Sequence, residues 1–571
     1  MRHVRLLALL LAVVMLLSGC SLLLANRDGY VDMVPFDEMK YERPDLDAVL
    51  ADADALIASL EGGMKLRDAT SALDSLFLEF YHMRTMETLS TIRSDSDVTD
   101  AYYSEELAFC SDAVITFRGK LEEVFAACAA SDLKDDLDDY FGEGFLDDYG
   151  EDYVYPEQLF ELQKQENELV NRYFTTLAAQ RLTIGGVDYT LDDLLLADRD
   201  GTMPEGLTIE QAVDQYYDGA NAALGSIFVD LIKVRHALAE EAGYDRFLDM
   251  AYDQNYRDFT PDTAAAFTDA VQTELVPLYR EAQERGLVDE AFYGTPEVDA
   301  NDSLMTVMDI ASSMGGDIGD TADFLMEYDL VNAEVSDKKV SDSYEIYIPD
   351  YESPYILAGT IGYAEDILTI AHELGHAVDD FVHYEAADST DVSETLSQAM
   401  EYLTLFYLQD DDVYDSLLAY KLMDVLRLYA EQGSYNAFEE RVYALDDAEV
   451  TLENLNAIAL ECARDFSLES EWGERYDSRS WVEITHFFQQ PLYIVSYIAS
   501  DSLAIQFYQQ ELAEEGQGLK LYEKAMDLAG DTEFIELAKQ LGMRDPLSEE
   551  QVKATADLMR EQLLNELGMR N

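Results

Sequence analysis

His372, Glu373 and His376 stand in the order H-E-x-x-H, in a chain with seven histidines among 571 residues. Side chains four apart on a helix share a face, with Cβ atoms about 5–6 Å apart. Two imidazoles at that spacing can reach one metal ion at about 2.0–2.1 Å, and Glu373, one step round the helix, can contact a water in the open position. In so histidine-poor a chain this order is rare by chance. Two histidines still need a third protein ligand. Asp379 and Val382 occupy the places where a metzincin continuation would carry its glycine and third histidine, so His383 reads as a surface histidine of the same helix. The expected third ligand is Glu394, 18 residues beyond His376, which leaves room for a turn and the start of an antiparallel helix. A competing reading makes Asp391 and Glu394 a D-x-x-E capping box. Metal-bound histidines usually give their second N–H to a carboxylate or carbonyl. Asp391, Asp379 and Glu401 are the candidates for that part.

Three blocks resemble the oligoendopeptidase F and thimet oligopeptidase family of zinc metallopeptidases. The first runs from Pro354-Tyr-Ile-Leu through Asp366 to the motif ending at His376; the second is Asp391-x-x-Glu394-x-x-Ser397-Gln398-x-x-Glu401. The third is His486-Phe-Phe-Gln-Gln-Pro-Leu-Tyr-Ile-Val-Ser-Tyr497. A weaker match is Phe228-Val-Asp-Leu-Ile-Lys-Val-Arg235 with Ala242-Gly243-Tyr244. The resemblance implies a deep channel between two lobes, zinc on a Glu at the place of Glu394, and substrate-facing donors at His486, Tyr493 and Tyr497. The chain departs from the family in carrying Asp379 where His is frequent and Leu396 where Pro is common. Its interval between motif and third ligand is also short.

The parts imply peptide hydrolysis. One zinc ion per chain, held by His372, His376 and Glu394, would lower the pKa of a water toward neutrality. Glu373 would take the proton and pass it to the leaving amine, with His486 and Tyr493 or Tyr497 as donors to the developing oxyanion. The strand near Tyr355–Tyr363 is expected to pair with a bound peptide backbone. A metallocarboxypeptidase of related helical fold is one rival; it would need an Arg or Lys for a free carboxylate. A lipid-anchored peptide-binding receptor without catalysis is another, although it has no need of Glu373.

The elements that must position these residues are mostly helices. Leu46, Val49, Leu50, Ala53, Leu56, Ile57 and Leu60 form one apolar stripe opened near Asp45 and closed by Gly62-Gly63. Ser548 and Gln551 predict a capping box for a C-terminal helix. Strand signals are confined to a hairpin around Gly185-Gly186 and a pair at Tyr344–Ile348 and Tyr355–Tyr363. The expectation is a mainly α, two-lobed metallopeptidase with a small β-sheet beside the motif helix. Residues 1–20 read as a lipoprotein signal peptide, 21–44 as a tether, 45–200 as an N-terminal helical lobe and 201–571 as the catalytic domain. Ten acidic positions within residues 132–152 suggest an exposed acidic loop or frayed helix ends.

Acidic residues number 118 against 37 basic ones, a formal charge of −81, which repels phosphate backbones and makes nucleic acid an improbable partner. At the N-terminus, Arg2 and Arg5 precede an apolar run from Leu6 to Leu17 and then Ser18-Gly19-Cys20. That run is too short for a bilayer, which needs about 20 residues. Leu17-Ser18-Gly19-Cys20 resembles a bacterial lipobox, which predicts lipid on Cys20 and a place on the extracytoplasmic face of the membrane. Cys110, Cys128 and Cys462 form no C-x-x-C pair and read as buried thiols, with a Cys110–Cys128 disulfide the alternative.

Overall fold

A computed structural model of the chain describes residues 33–142, 145–146, 149, 157–204, 206–384, 389–468, 479–530 and 532–566. The expected signal peptide and lipobox, residues 1–20, lie outside the described residues. No described helix is long and apolar enough to cross a membrane.

The fold is mainly helical. Helix α1 (Leu46–Glu61) starts where the Asp45 carboxylate accepts the Ala48 N–H, and buries Val49, Ala53, Leu56 and Leu60 from its apolar stripe. With α2 (Leu66–Ser96) and α3 (Ala101–Ala130) it encloses a small core of its own, completed by Leu137, Leu146 and Tyr149. The acidic stretch therefore turns apolar residues inward, and it contains a short helix, Lys134–Phe141. Helix α4 (Glu157–Ala178) follows; Leu159, Tyr173 and Leu194, expected in the N-terminal lobe, pack instead into the large core of the remaining chain.

The chain ahead of α1 is docked from the first described residue onward, with Met33 and Val34 packed against the large core. Phe36 donates its N–H to the Tyr328 carbonyl (3.0 Å) and lays its ring 4.4 Å from that of Tyr355. Met39 is buried and Tyr41 donates to Glu106. The segment that can act as a tether is shorter than residues 21–44. Cys110, Cys128 and Cys462 are free and buried.

Strands β1 (Leu182–Ile184) and β2 (Val187–Tyr189) form the expected hairpin, with Gly185 and Gly186 both at positive φ as a tight two-residue turn requires. Helix α5 (Ile209–Ala242) is opened by a Thr208/Gln211 capping box and closed by left-handed Gly243. The sheet beside the motif has three strands in the order β3 (Val331–Asn332), β5 (Ser353–Leu357), β4 (Tyr344–Ile348). The second expected strand ends at Leu357, not Tyr363. It is the middle strand, buried throughout, with the Ile356 N–H bonded to the Leu330 carbonyl on the β3 side. A peptide cannot add to it; the outer strand on the motif side is β4.

Helix α6 (Asp366–His383) carries the motif and α7 (Thr390–Tyr407) the third-ligand block. Asp366 grips the N–H groups of Ile361 and Gly362, fastening the loop from β5 to the start of α6. Helices α8 (Tyr414–Tyr443), α9 (Thr485–Gln489) and α10 (Val495–Ala513) complete the surroundings. Near the C-terminus, Ser548 caps α11 (Glu549–Met559) through the Gln551 N–H. Gln551 itself is buried and its amide donates to the Ser502 carbonyl, so we find only one arm of the capping box.

Candidate metal centre and cleft

Helical periodicity sets His372 and His376 one turn apart, ring centroids 5.0 Å from each other. Gly375 between them lets α7 approach: a Cβ there would lie 2.5 Å from the Ser397 Cα. That approach brings Glu394 Oε2 to 3.5 Å from His372 Nε2 and 4.0 Å from His376 Nε2. One donor atom from each of the three residues lies within 4.8 Å of the others.

The outer contacts sort the carboxylates. Glu401 meets His372 Nδ1 at 2.9 Å, and its other oxygen accepts from Lys421 Nζ at 2.8 Å. Burial would raise Glu401, but Lys421 and His372 outweigh it and hold the carboxyl below its usual range. His376 Nδ1 instead faces the Ser393 hydroxyl at 3.0 Å, a partner the sequence reading did not name. Its only signal is its place directly before Glu394. Asp379 pairs with His383 (2.8 Å) and Asp391 with buried Arg257 (3.3 Å), so neither contacts a motif histidine in the way expected. The N-cap of α7 is Ser389, not Asp391, which leaves the capping-box reading of Asp391 and Glu394 without support.

Charge accumulates here. Burial raises the Glu373 carboxyl to about 7, against the pull of His372 and of the Glu345 backbone N–H on β4. Burial pulls His372 down, yet the Glu401 hydrogen bond and the nearby carboxylates raise it to about 9. His376 is pushed down to about 3 by burial and by His372. Glu345, also unforeseen, is driven well above the carboxylate range by burial and by Asp380. Three acids, Glu373, Glu394 and Glu401, thus surround two imidazoles. Two imidazole nitrogens and a carboxylate oxygen form a donor set that suits zinc.

A cleft of about 460 Å³ brings the two tyrosines of the third block beside these residues. Its lining includes Ser343, Tyr344 and Glu345 of the β4 side, both histidines, Glu373, Glu394, Tyr493 and Tyr497. Tyr493 donates its hydroxyl to Glu394 Oε1 (3.1 Å), and the Tyr497 hydroxyl lies 3.2 Å from His486 Nε2. Burial lifts Tyr497 to about 12 and Tyr493 further, and lowers His486. Near neutral pH both tyrosines keep their protons and can donate.

Comparison with known proteins follows the same lines. Residues 36–150 match the model of the peptidase M3 N-terminal domain. No curated protein matches the chain. Among solved structures, PZ peptidase A in complex with an inhibitor is 20% identical, with a TM-score of 0.72 over 93% of this chain and 99% of that one. A protein assigned as oligoendopeptidase F from Bacillus anthracis is 20% identical, with a TM-score of 0.67 over 94% and 99%. The oligoendopeptidase F of Enterococcus faecium is 14% identical, with a TM-score of 0.56 over 92% and 96%. The chain therefore pairs a region matching the peptidase M3 N-terminal domain with the overall fold of the oligoendopeptidase F structures.

Proposed function

We propose that the chain is a zinc-dependent endopeptidase of short, unstructured peptides. The observation that carries this reading is the shared cleft. His372, His376, Glu373 and Glu394 line a single cleft together with Tyr493 and Tyr497, and His486 stands behind Tyr497, 3.2 Å from its hydroxyl. Zinc, when bound by His372, His376 and Glu394, supplies Lewis acidity and a water activated near neutral pH. Glu373, steadied by the Glu345 N–H, accepts a proton from the attacking water and delivers it to the leaving amine. Tyr493, Tyr497 and His486 would donate to the carbonyl oxygen as its charge grows. The chain entering β4, at Ser343–Glu345, is the edge along which an extended substrate would pair.

A carboxypeptidase would need a cation for the substrate's terminal carboxylate. Among the described residues lining this cleft and the adjoining cavity near Glu365 and Asp424, the one Arg or Lys is Lys421, and Glu401 holds it. The test is digestion of a peptide library that includes members blocked at both ends, with and without chelator. Cleavage of internal bonds in blocked peptides, lost with chelator and restored by zinc, supports the proposal. Release of C-terminal residues alone, or activity indifferent to chelator, overturns it. The lipid anchor at Cys20 belongs to the same proposal and rests on the Leu17–Cys20 box. Mass analysis of the membrane fraction tests it, and unmodified Cys20 would refute it.

A further inference from the structure

His486 on α9 and Tyr497 at the start of α10 flank a short turn, residues 490–494, that carries Tyr493. Leu492, directly before Tyr493, has φ +63°, a conformation that costs a bulky side chain energy and persists only where its surroundings enforce it. Three buried polar side chains from other parts of the chain, two of them arginines, grip this segment. Arg235, toward the C-terminal end of α5, is fully buried; it donates Nη1–H to the Phe487 carbonyl (2.8 Å) and Nη2–H to the Phe488 carbonyl (2.5 Å). Its remaining bonds go to the Tyr443 hydroxyl and Glu166, so the guanidinium is itself fixed. Glu439 on α8, also fully buried, accepts the Leu492 N–H at 2.8 Å. Arg257, held by Asp391, donates to the Ser496 hydroxyl at 2.8 Å.

The register is the informative part. The grips fall on residues 487 and 488, on 492 and on 496, each within two positions of a donor at 486, 493 or 497. Burying polar and charged groups is expensive, and apolar residues of similar volume would stabilise a core as well or better. Hydrogen-bonding groups are needed where particular atoms must be held at particular places. We propose that Arg235, Glu439 and Arg257 are positioning residues. They form a buried frame that presets the donor segment against the metal ligands, so that its dipoles need no reorganisation when charge develops on the substrate. The inference rests on the reading of that segment as the donor side of a peptidase site.

The test compares E439L, E439Q and R235K in the zinc-loaded protein, alone and combined with H486A. Peptide turnover, zinc content and hydrogen exchange across residues 484–498 are the readouts. E439L removes the acceptor for Leu492. It should lower kcat about tenfold or more, with full zinc, little change in KM and faster exchange in the segment but not in α6. E439Q keeps an oxygen at the same place and should retain most of kcat. A lysine cannot reproduce the paired bonds of Arg235, so R235K should behave as E439L does. Each loss should shrink in the H486A background, because variants acting through one group do not multiply. Wild-type kcat and exchange in both E439L and R235K overturn the proposal, as do losses that multiply with H486A or that accompany loss of zinc. If E439L fails to fold, R235K and E439Q decide the matter. If the unsubstituted protein cuts no peptide, the function proposed above falls, while selective loosening of the segment still establishes the frame.

Discussion

At the scale of single residues, the proposed mechanism separates binding from proton transfer. Glu373 lies outside the donor triangle, so E373Q should keep zinc while lowering turnover at least about a hundredfold. Zinc content beside peptide turnover reads both, and a variant retaining a tenth of the rate would remove Glu373 as the base. The base must be ionised to act and burial holds it near 7, so kcat/KM should fall as pH drops below that region. A bound cation nearby can only move that limb to lower pH. E394A should lose zinc on dialysis, whereas H383A should not, because His383 is occupied by Asp379. Full zinc in E394A would place the ligand elsewhere. The motif histidines were legible because their spacing is the helix period itself. Glu401 was legible too, two turns from Glu394 on the same face. Asp391 was not: its partner Arg257 is 134 residues away, and no local pattern reports which of several helix carboxylates turns toward which neighbour.

At the scale of elements, the centre depends on how closely α6 and α7 approach. Gly375 is that contact, in one of the two variable positions of the motif. G375A would force a methyl group against the Ser397 backbone and push α7 outward, carrying Glu394 away from the histidines. Overpacking of this kind costs about 1–3 kcal/mol, so the variant should fold with lowered Tm and bind zinc far more weakly. Wild-type metal affinity in G375A would mean that the helices can separate without disturbing the ligands. Sequence showed the Gly185-Gly186 hairpin because the turn chemistry is local. It did not show β3, whose two residues pair in parallel with a distant strand and carry no alternation to read. The strand at Tyr355 was visible but its role was inverted, since centre and edge are decided by partners elsewhere in the chain.

For the whole molecule, the governing fact is acidity inside as well as outside. Burial raises Glu439 to about 8, Glu440 to about 7 and Asp501 to about 6. In the unfolded chain such groups lose their protons near pH 4. Between about pH 4 and 8 the folded state thus holds more protons than the unfolded one, and stability falls as pH rises. In the presence of chelator, Tm should be higher at pH 5 than at pH 8, and E439Q should flatten the slope. A Tm rising across that range would show that these acids are ionised inside the fold. Outside, a charge of −81 should favour cationic substrates. Lys-rich peptides should be cut faster than matched Glu-rich ones at low salt, and the gap should close as salt screens exposed charge. Equal rates at both salt concentrations would discard the steering.

With a lipid on Cys20, as proposed, the docking of Met33 would set the length of a leash. Thirteen residue steps separate Cys20 from Met33, the first described residue packed on the body. A chain extends at most about 3.3–3.6 Å per residue, a reach of roughly 45 Å. A peptidase held in this way would patrol a thin layer over its own membrane and meet the peptides that enter or leave there. An anionic headgroup plane would repel its acidic surface over the last 8–10 Å or so, and that repulsion would hold the leash extended with the body clear of the lipid.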